Sequence, residues 1–149
     1  MKNCRKAGIA VHGDFILGLP GETPESIERT MRYAEELDCE TIQVSIAHPY
    51  PGTEFDAYLK KNDYFLGDGL MTDELGHQLP NYNYPGMDRR AIVRAVEEFY
   101  GRYYFRPRIV FRILRQAVFD KTERSRLFTE AKEYLQLRAR RKAFARSAG

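Results

Sequence analysis

The feature that most constrains the fold is a repeated order of apolar run, glycine- and proline-rich turn, and helix start. The first run covers residues 9–17, and "GLPGE" leads from it to a helix that Thr23 can cap and Pro24 can begin. The second run covers residues 41–48, and "PYPGTEF" leads from it into a helix over residues 53–62. Two such units in succession predict parallel strands, and therefore an α/β fold.

Alternation along the two predicted strands places polar side chains on one face of each. His12, Asp14 and Ile16 share one face of the first strand, and Gln43 and Ser45 share one face of the second. The glycine turn follows the carboxyl end of a parallel strand, the edge at which barrels and open sheets bind ligands. These faces would then line a polar lumen. The alternatives are a sheet surface that faces solvent, or a few hydrogen-bonded polar residues in a core.

The glycine turn does not have the pattern of a nucleotide-binding loop. "GLPGET" lacks the Gly-Lys-Ser/Thr of a P-loop and the spacing of G-x-G-x-x-G. A phosphate cradle is therefore not predicted at this turn. The ligand must be one that a short turn without a lysine can serve.

Cysteine content and hydropathy narrow the class of protein. Cys4 and Cys39 are isolated from one another, so the sequence encodes neither a disulfide framework nor a zinc site. No apolar run approaches the ~20 residues of a membrane span. We therefore predict no resident metal in this chain and a cytoplasmic location.

Charge divides the chain into an acidic front and a basic tail. Residues 1–101 hold 10 Lys and Arg against 17 Asp and Glu, whereas residues 102–149 hold 14 against 4. We predict three parts: βα units over residues 1–63, an irregular connection over 64–87, and a basic helical extension over 88–149. The helix after Pro107 has arginines on one side and an apolar face on the other, the layout of an interfacial helix. That apolar face comprises Ile109, Val110, Ile113, Leu114, Ala117 and Val118.

Two motifs carry a resemblance to a known family. "GDFILGLPGETPESIERTMRYAEEL" is followed by "TIQVSIAHPYPGTEFDAYLKK", which matches Asp-x-Ile-x-Gly-x-Pro-Gly-Glu-Thr and then Pro-x-Pro-Gly-Thr. The chain thereby resembles radical SAM enzymes of the subgroup with a cobalamin-binding domain, and most of all the hopanoid-biosynthesis-associated branch. The resemblance implies the last two βα units of a partial (β/α) barrel, followed by an α-helical C-terminal extension.

The resemblance also implies a cofactor-binding edge. In that family this strand and turn pack against the adenosine of S-adenosylmethionine, so Ile16 would touch the adenine and Gly18 would let the ligand approach the backbone. The other members of the edge are Asp14, Pro20 and Gly21 from the same motif, and His48 and Tyr50, which topology would place near the adenine at the end of the next strand. No catalytic residue is assigned.

The sequence departs from the family pattern in three places. Asp14 stands where the usual Gly-x-Ile-x-Gly-x-x-Glu has its first glycine, and Glu22 falls one residue late. The Cys-x-x-x-Cys-x-x-Cys that binds a [4Fe-4S] cluster is missing. The chain therefore resembles the C-terminal part of such an enzyme and is expected to be inactive alone, with the cluster and any cobalamin held by upstream segments.

The resemblance further implies a small-molecule or lipid substrate, with a hopanoid as the specific expectation. A lipid substrate and basic helices together predict peripheral contact with the inner face of the membrane. Two alternatives remain open at this point. The chain could be a non-catalytic interaction fragment, or its basic tail could bind nucleic acid, which is the less favoured of the two.

Overall fold

A computed structural model describes residues 1–67, 71–72 and 78–119. The chain divides into two compact units, Met1–Val96 and Glu97–Gly149. The last part of the predicted helical extension, residues 120–149, lies outside the described residues. No helix of the described residues is long and apolar enough to span a bilayer.

The first unit begins with two βα units, as predicted. A short helix α1 (Lys2–Lys6) precedes strand β1 (His12–Leu17), helix α2 (Pro24–Leu37), strand β2 (Thr41–Ile46) and helix α3 (Glu54–Lys61). The strands pair in parallel, with the register running from His12↔Thr41 to Leu17↔Ile46. The α/β prediction is therefore confirmed for these elements.

Capping explains where α2 begins and ends. The Thr23 hydroxyl accepts a hydrogen bond from the Ser26 N–H, and the Ser26 hydroxyl accepts one from the Thr23 N–H. This reciprocal pair satisfies two donors that a helix start leaves unpaired. At the other end Asp38 adopts a left-handed conformation with φ of 52°, which ends the helix.

One face of the two-stranded sheet packs into the core and the other is open. The buried apolar residues on the strands and on the inner face of α2 are Leu17, Ile27, Met31, Ala34, Ile42 and Val44. Burial of each large side chain stabilises the fold by about 1.5–3 kcal/mol relative to its exposure. His12, Asp14, Ile16 and Gln43 are exposed on the other face.

Residues 64–87, predicted as an irregular connection, contain short antiparallel pairings in their described part. Strand β3 (Met71–Thr72) pairs with strand β4 (Gln78–Leu79), and Phe65 forms a bridge with Tyr82. The bridge holds two distant parts of the segment together, so Tyr82 and its neighbours have a defined position.

Helix α4 (Arg89–Tyr104) spans the boundary between the units, and helix α5 (Pro107–Phe119) follows it. The Ala91 N–H donates to Asp88 Oδ1 over 2.6 Å, which caps the start of α4. The buried side of α4 comprises Ile92, Val93, Val96 and Phe99.

Helix α5 differs from its predicted surface. Ile109, a member of the predicted apolar face, is fully buried, whereas Phe111 outside that face is 69% exposed. Apolar periodicity alone does not distinguish a helix face that meets the protein from one that meets solvent, because both are apolar.

Candidate functional site

The candidate site lies at the carboxyl edge of β1 and β2, where two loops leave the sheet side by side. The Ala47 N–H donates to the Leu17 carbonyl over 2.7 Å, which extends the parallel ladder one step past the strands. The loop after β1 covers residues 18–23 and the loop after β2 covers residues 47–53. Both lead to a threonine that caps the next helix, Thr23 and Thr53.

The loop after β1 is closed by its own acidic side chain. The Glu22 N–H donates to the Leu19 carbonyl over 3.1 Å, and Gly21 has φ of 78°, as in a type II turn with Pro20 in its usual place. The Glu22 carboxylate accepts the Gly18 N–H. Burial raises the pKa of Glu22, and hydrogen bonds from the Gly18 and Leu19 N–H groups oppose that shift. Since Glu22 takes these donors, the turn offers no cradle for a phosphate at that point.

The loop after β2 repeats this arrangement. The Gly52 N–H donates to Asp56 Oδ2 over 3.2 Å, and Lys60 Nζ lies 2.8 Å from the same oxygen. In both loops an acidic residue four positions after a glycine accepts that glycine's N–H. The hydrogen bond from Lys60 lowers the pKa of Asp56, so Asp56 keeps its charge and holds the loop.

Tyr82 and Tyr84 reach both loops from a distant part of the chain. The Tyr82 hydroxyl lies 2.8 Å from the Ala47 carbonyl oxygen and 3.1 Å from that of Gly18. The Tyr84 hydroxyl lies 3.0 Å from the Gly18 carbonyl oxygen. Sequence reasoning missed both tyrosines, and the one signal available was the dense run of aromatic residues in "PNYNYP".

The fold itself explains why residue 18 is a glycine. Its φ is +91°, and a Cβ built there would lie 2.5 Å from the Tyr82 hydroxyl. The space that we expected to admit a ligand is therefore taken by a side chain of the same protein. A direct contact between Gly18 and a cofactor remains a prediction.

The other predicted cofactor residues surround this edge without forming one contact network. Ile16 is 54% exposed on the open face of the sheet, and Pro20 and Gly21 are exposed on the first loop. Asp14 lies on the same face as Ile16, and its Oδ1 is 3.2 Å from His12 Nε2. His12 Nδ1 is in turn 2.6 Å from Thr41 Oγ1. The polar face predicted for these strands is thus open, and its members pair across the two strands.

His48 and Tyr50 lie together on the second loop. Their ring centroids are 5.2 Å apart with an interplanar angle of 70°, an edge-to-face contact. Tyr50 is exposed and His48 is half-buried. These rings follow β2, the parallel neighbour of the strand that carries the exposed Ile16, so the edge presents apolar and aromatic groups that suit a flat heterocycle.

His48 should titrate at lower pH than an ordinary histidine. Burial lowers the pKa of His48 from its usual value of about 6.5. Between the lowered pKa of His48 in the folded chain and its ordinary pKa in the unfolded chain, the unfolded chain binds more protons. The free energy of unfolding therefore falls as the pH falls from about 6.5. We expect an NMR titration of the His48 ring to show a midpoint below 6.5. The His48 resonance is assigned as the one that is missing from the spectrum of His48→Gln. A midpoint at or above 6.5 would contradict the half-buried placement.

The two cysteines lie apart from this edge. Cys39 is buried immediately before β2, and its Sγ would lie 3.0 Å from a Cβ built at Gly13. Cys4 is on α1, before β1. Among the described residues, no group of three or more His, Cys, Asp and Glu side chains is placed to hold a metal ion.

Comparison with known proteins finds relatives among methyl-group and methylthio-group transfer enzymes. The chain is 30% identical over 115 residues to an uncharacterized methyltransferase of Pyrococcus horikoshii, covering 75% of this chain and 24% of the relative. It is 28% identical over 109 residues to the threonylcarbamoyladenosine tRNA methylthiotransferase of Xenopus laevis, covering 67% and 18%. An uncharacterized protein of Methanocaldococcus jannaschii is 32% identical over 85 residues, covering 54% and 26%.

The chain thus spans about a quarter or less of the length of these relatives. No protein-family model matches it. No solved structure matches it significantly.

Proposed function

We propose that this chain supplies the adenosine-facing edge of a radical SAM enzyme whose remaining segments hold the iron–sulfur cluster. The observation that carries the proposal is the exposed Ile16 at the carboxyl end of β1, next to a loop that presents His48 and Tyr50. Ile16 lies at the carboxyl edge of the strands, where parallel sheets bind ligands, and covering its exposed surface would be favourable. A purine lying over it would cover it.

The chemistry of the surrounding groups fits the neutral end of S-adenosylmethionine. The open face carries Asp14 and Gln43 as register partners, and their polar groups suit ribose hydroxyls. The Glu22 carboxylate already takes the turn's N–H donors, so this edge suits the adenosine moiety rather than the methionine carboxylate. When bound beside a reduced cluster, S-adenosylmethionine supplies radical chemistry, which is the cofactor's own.

The relatives support the same class of reaction. Their names describe transfer of methyl or methylthio groups, chemistry for which S-adenosylmethionine is a common donor. We further propose that the two βα units belong to a partial (β/α) barrel completed by other segments. A two-stranded parallel sheet leaves edges and one face uncovered, and parallel sheets are normally covered on both.

Within this proposal the chain as given does not cleave S-adenosylmethionine by itself. A [4Fe-4S] cluster is held by cysteine thiolates that converge on it, and the chain has two cysteines in separate places. The hopanoid-associated branch remains our proposed assignment within the family, with a hopanoid or another lipid as substrate. Use of cobalamin through a separate domain belongs to the same proposal.

The proposal predicts that Ile16→Asp weakens the binding of S-adenosylmethionine to this chain at least tenfold. A buried carboxylate under the adenine would lose its hydration, whereas the free variant keeps it exposed and folds normally. Saturation-transfer NMR from the chain to the adenine protons measures the effect. Ile9→Asp is the matched control, because Ile9 is 57% exposed and precedes β1. Equal signals from Ile16→Asp and the parent chain would contradict the proposal.

Peripheral membrane contact is proposed for α5 on a different surface from the one that the sequence suggested. Phe111 is 69% exposed and lies one helical turn from both Arg108 and Arg115, which are also exposed. An aromatic ring between arginines suits an anionic bilayer surface, where the ring enters the interface and the guanidinium groups meet phosphates. We expect the chain to co-sediment with vesicles containing phosphatidylglycerol at low salt, and Phe111→Asp to reduce the bound fraction severalfold. Phe111→Asp and the parent chain binding equally would overturn this surface.

A further inference from the structure

Two tyrosine hydroxyls tie together the two loops at the carboxyl edge of the sheet. The Tyr82 oxygen is within hydrogen-bond distance of the carbonyl oxygens of Gly18 and Ala47, at 3.1 and 2.8 Å. The Tyr84 oxygen lies 3.0 Å from the Gly18 carbonyl oxygen. Since Gly18 begins one loop and Ala47 the other, one phenol spans the gap between two loops that are not consecutive in the chain.

The number of donors and acceptors shows which tyrosine donates to which carbonyl group. Each phenol has one hydrogen to donate, so two donors serve two carbonyl groups. Tyr82 donating to Ala47 and Tyr84 donating to Gly18 satisfies both. Gly18 and Ala47 are buried, where a carbonyl without a donor is costly. Loss of either hydroxyl therefore leaves one of the two loops without its inner hydrogen bond.

Burial and ring packing fix the positions of the two tyrosines relative to the loops. Tyr82 is fully buried, and its ring centroid lies 5.3 Å from that of Phe55 and 5.2 Å from that of Tyr84. Burial raises the pKa of both phenols well above the ordinary value, so both remain neutral donors at any physiological pH. The Gly18 N–H, in the preceding peptide, donates to the Glu22 carboxylate.

We infer that Tyr82 and Tyr84 are positioning residues for the S-adenosyl ligand: they set the separation of the two loops between which the adenosine lies. The inference rests on the proposed function and extends the site to residues 81–87, outside the βα units. Neither phenol contacts the ligand. Each acts through a loop carbonyl, so that Ile16 on one side and the His48–Tyr50 pair on the other keep the spacing that a purine requires.

The test compares Tyr82→Phe and Tyr84→Phe with the parent chain, because phenylalanine keeps the ring and removes only the hydroxyl. Tyr33→Phe is the matched control, since Tyr33 is 57% exposed on α2. S-adenosylmethionine is titrated into each chain without denaturant, and urea unfolding verifies that each is folded under those conditions. Amide hydrogen exchange at Leu19 and His48 reports on the two loops separately from binding.

We expect Tyr82→Phe to weaken S-adenosylmethionine binding at least fivefold and to speed exchange at His48 more than at Leu19, because Tyr82 donates to Ala47, with Tyr33→Phe unchanged. Tyr84→Phe should affect Leu19 more than His48, because Tyr84 contacts Gly18 alone of the two carbonyls. A merely structural role would leave the affinity of the folded chain unchanged.

The outcomes separate the two claims. If the parent chain and Tyr82→Phe bind S-adenosylmethionine equally, the positioning inference is wrong while the proposed function stands. If the parent chain shows no binding, the proposed function is wrong and the ligand part of the inference is wrong with it. Exchange that is unchanged at both loops in Tyr82→Phe would overturn the coupling of the loops in either case.

Discussion

Replacing Gly18 with alanine is expected to lower the free energy of unfolding of the first unit by about 3 kcal/mol. Its φ of +91° places an L-residue in the left-handed region, at a cost of roughly 1–2 kcal/mol. The added methyl would also lie 2.5 Å from the Tyr82 hydroxyl, and overpacking of this kind costs about 1–3 kcal/mol. Urea denaturation followed by circular dichroism measures the difference between the variants.

Gly21→Ala is the matched control. Gly21 also has a positive φ, of +78°, but nothing lies within 4 Å of a Cβ built there, so we expect a loss of about 1 kcal/mol. Tyr82→Phe removes the oxygen that the new methyl meets, so the double variant Gly18→Ala/Tyr82→Phe should be less destabilised than the sum of its parts. Equal losses for Gly18→Ala and Gly21→Ala, or strict additivity, would show that Tyr82 does not occupy this space.

Arg5→Ala is expected to destabilise the first unit by about 2 kcal/mol. The Arg5 guanidinium lies 3.0 Å from Asp38 Oδ2 and donates to the Leu37 and Asp38 carbonyls, at the end of α2. The side chain of Asp38 is 5% exposed, so removal of Arg5 leaves a buried carboxylate with less compensation. Breaking a fully buried pair costs about 3–5 kcal/mol, and the partial exposure of Arg5 reduces that figure. Urea denaturation at neutral pH measures the difference in the free energy of unfolding between Arg5→Ala and the parent chain.

Arg32→Ala is the control for this prediction. Arg32 pairs with Glu28 over 2.8 Å on the exposed side of α2, an i,i+4 pair worth about 0.3–0.5 kcal/mol. Similar losses in Arg5→Ala and Arg32→Ala would mean that burial of Asp38 contributes nothing to the pair.

The parts of the fold that sequence predicted are those whose signals are local. Alternation over β1 and β2, the N-cap Thr23 and the helix start at Pro24 all act within a few residues, so short windows of sequence contain them. The pairing of β1 with β2 followed because consecutive βα units give parallel strands.

The tyrosines at the edge could not be predicted in this way. Tyr82 is 64 residues from Gly18 and 35 residues from Ala47 in the sequence, and its segment has no periodic pattern. Sequence shows that a glycine is needed at position 18, but it did not reveal that the Tyr82 hydroxyl is one atom that requires the space. For α5, periodicity identified an apolar face but could not show that Ile109 within it is buried.

The most direct test of the account is to locate S-adenosylmethionine on the chain. Titrating S-adenosylmethionine into the ¹⁵N-labelled chain, with backbone amides assigned, follows the chemical shifts of the amides on both loops at once. We predict shifts concentrated at Ile16 at the end of β1, at Leu19 on the loop that follows it, and at His48 and Tyr50 on the loop after β2. Little change is expected at the opposite end of the sheet near Cys39. Uniform small shifts, or shifts centred away from the carboxyl edge, would contradict the assignment of this edge to the adenosine.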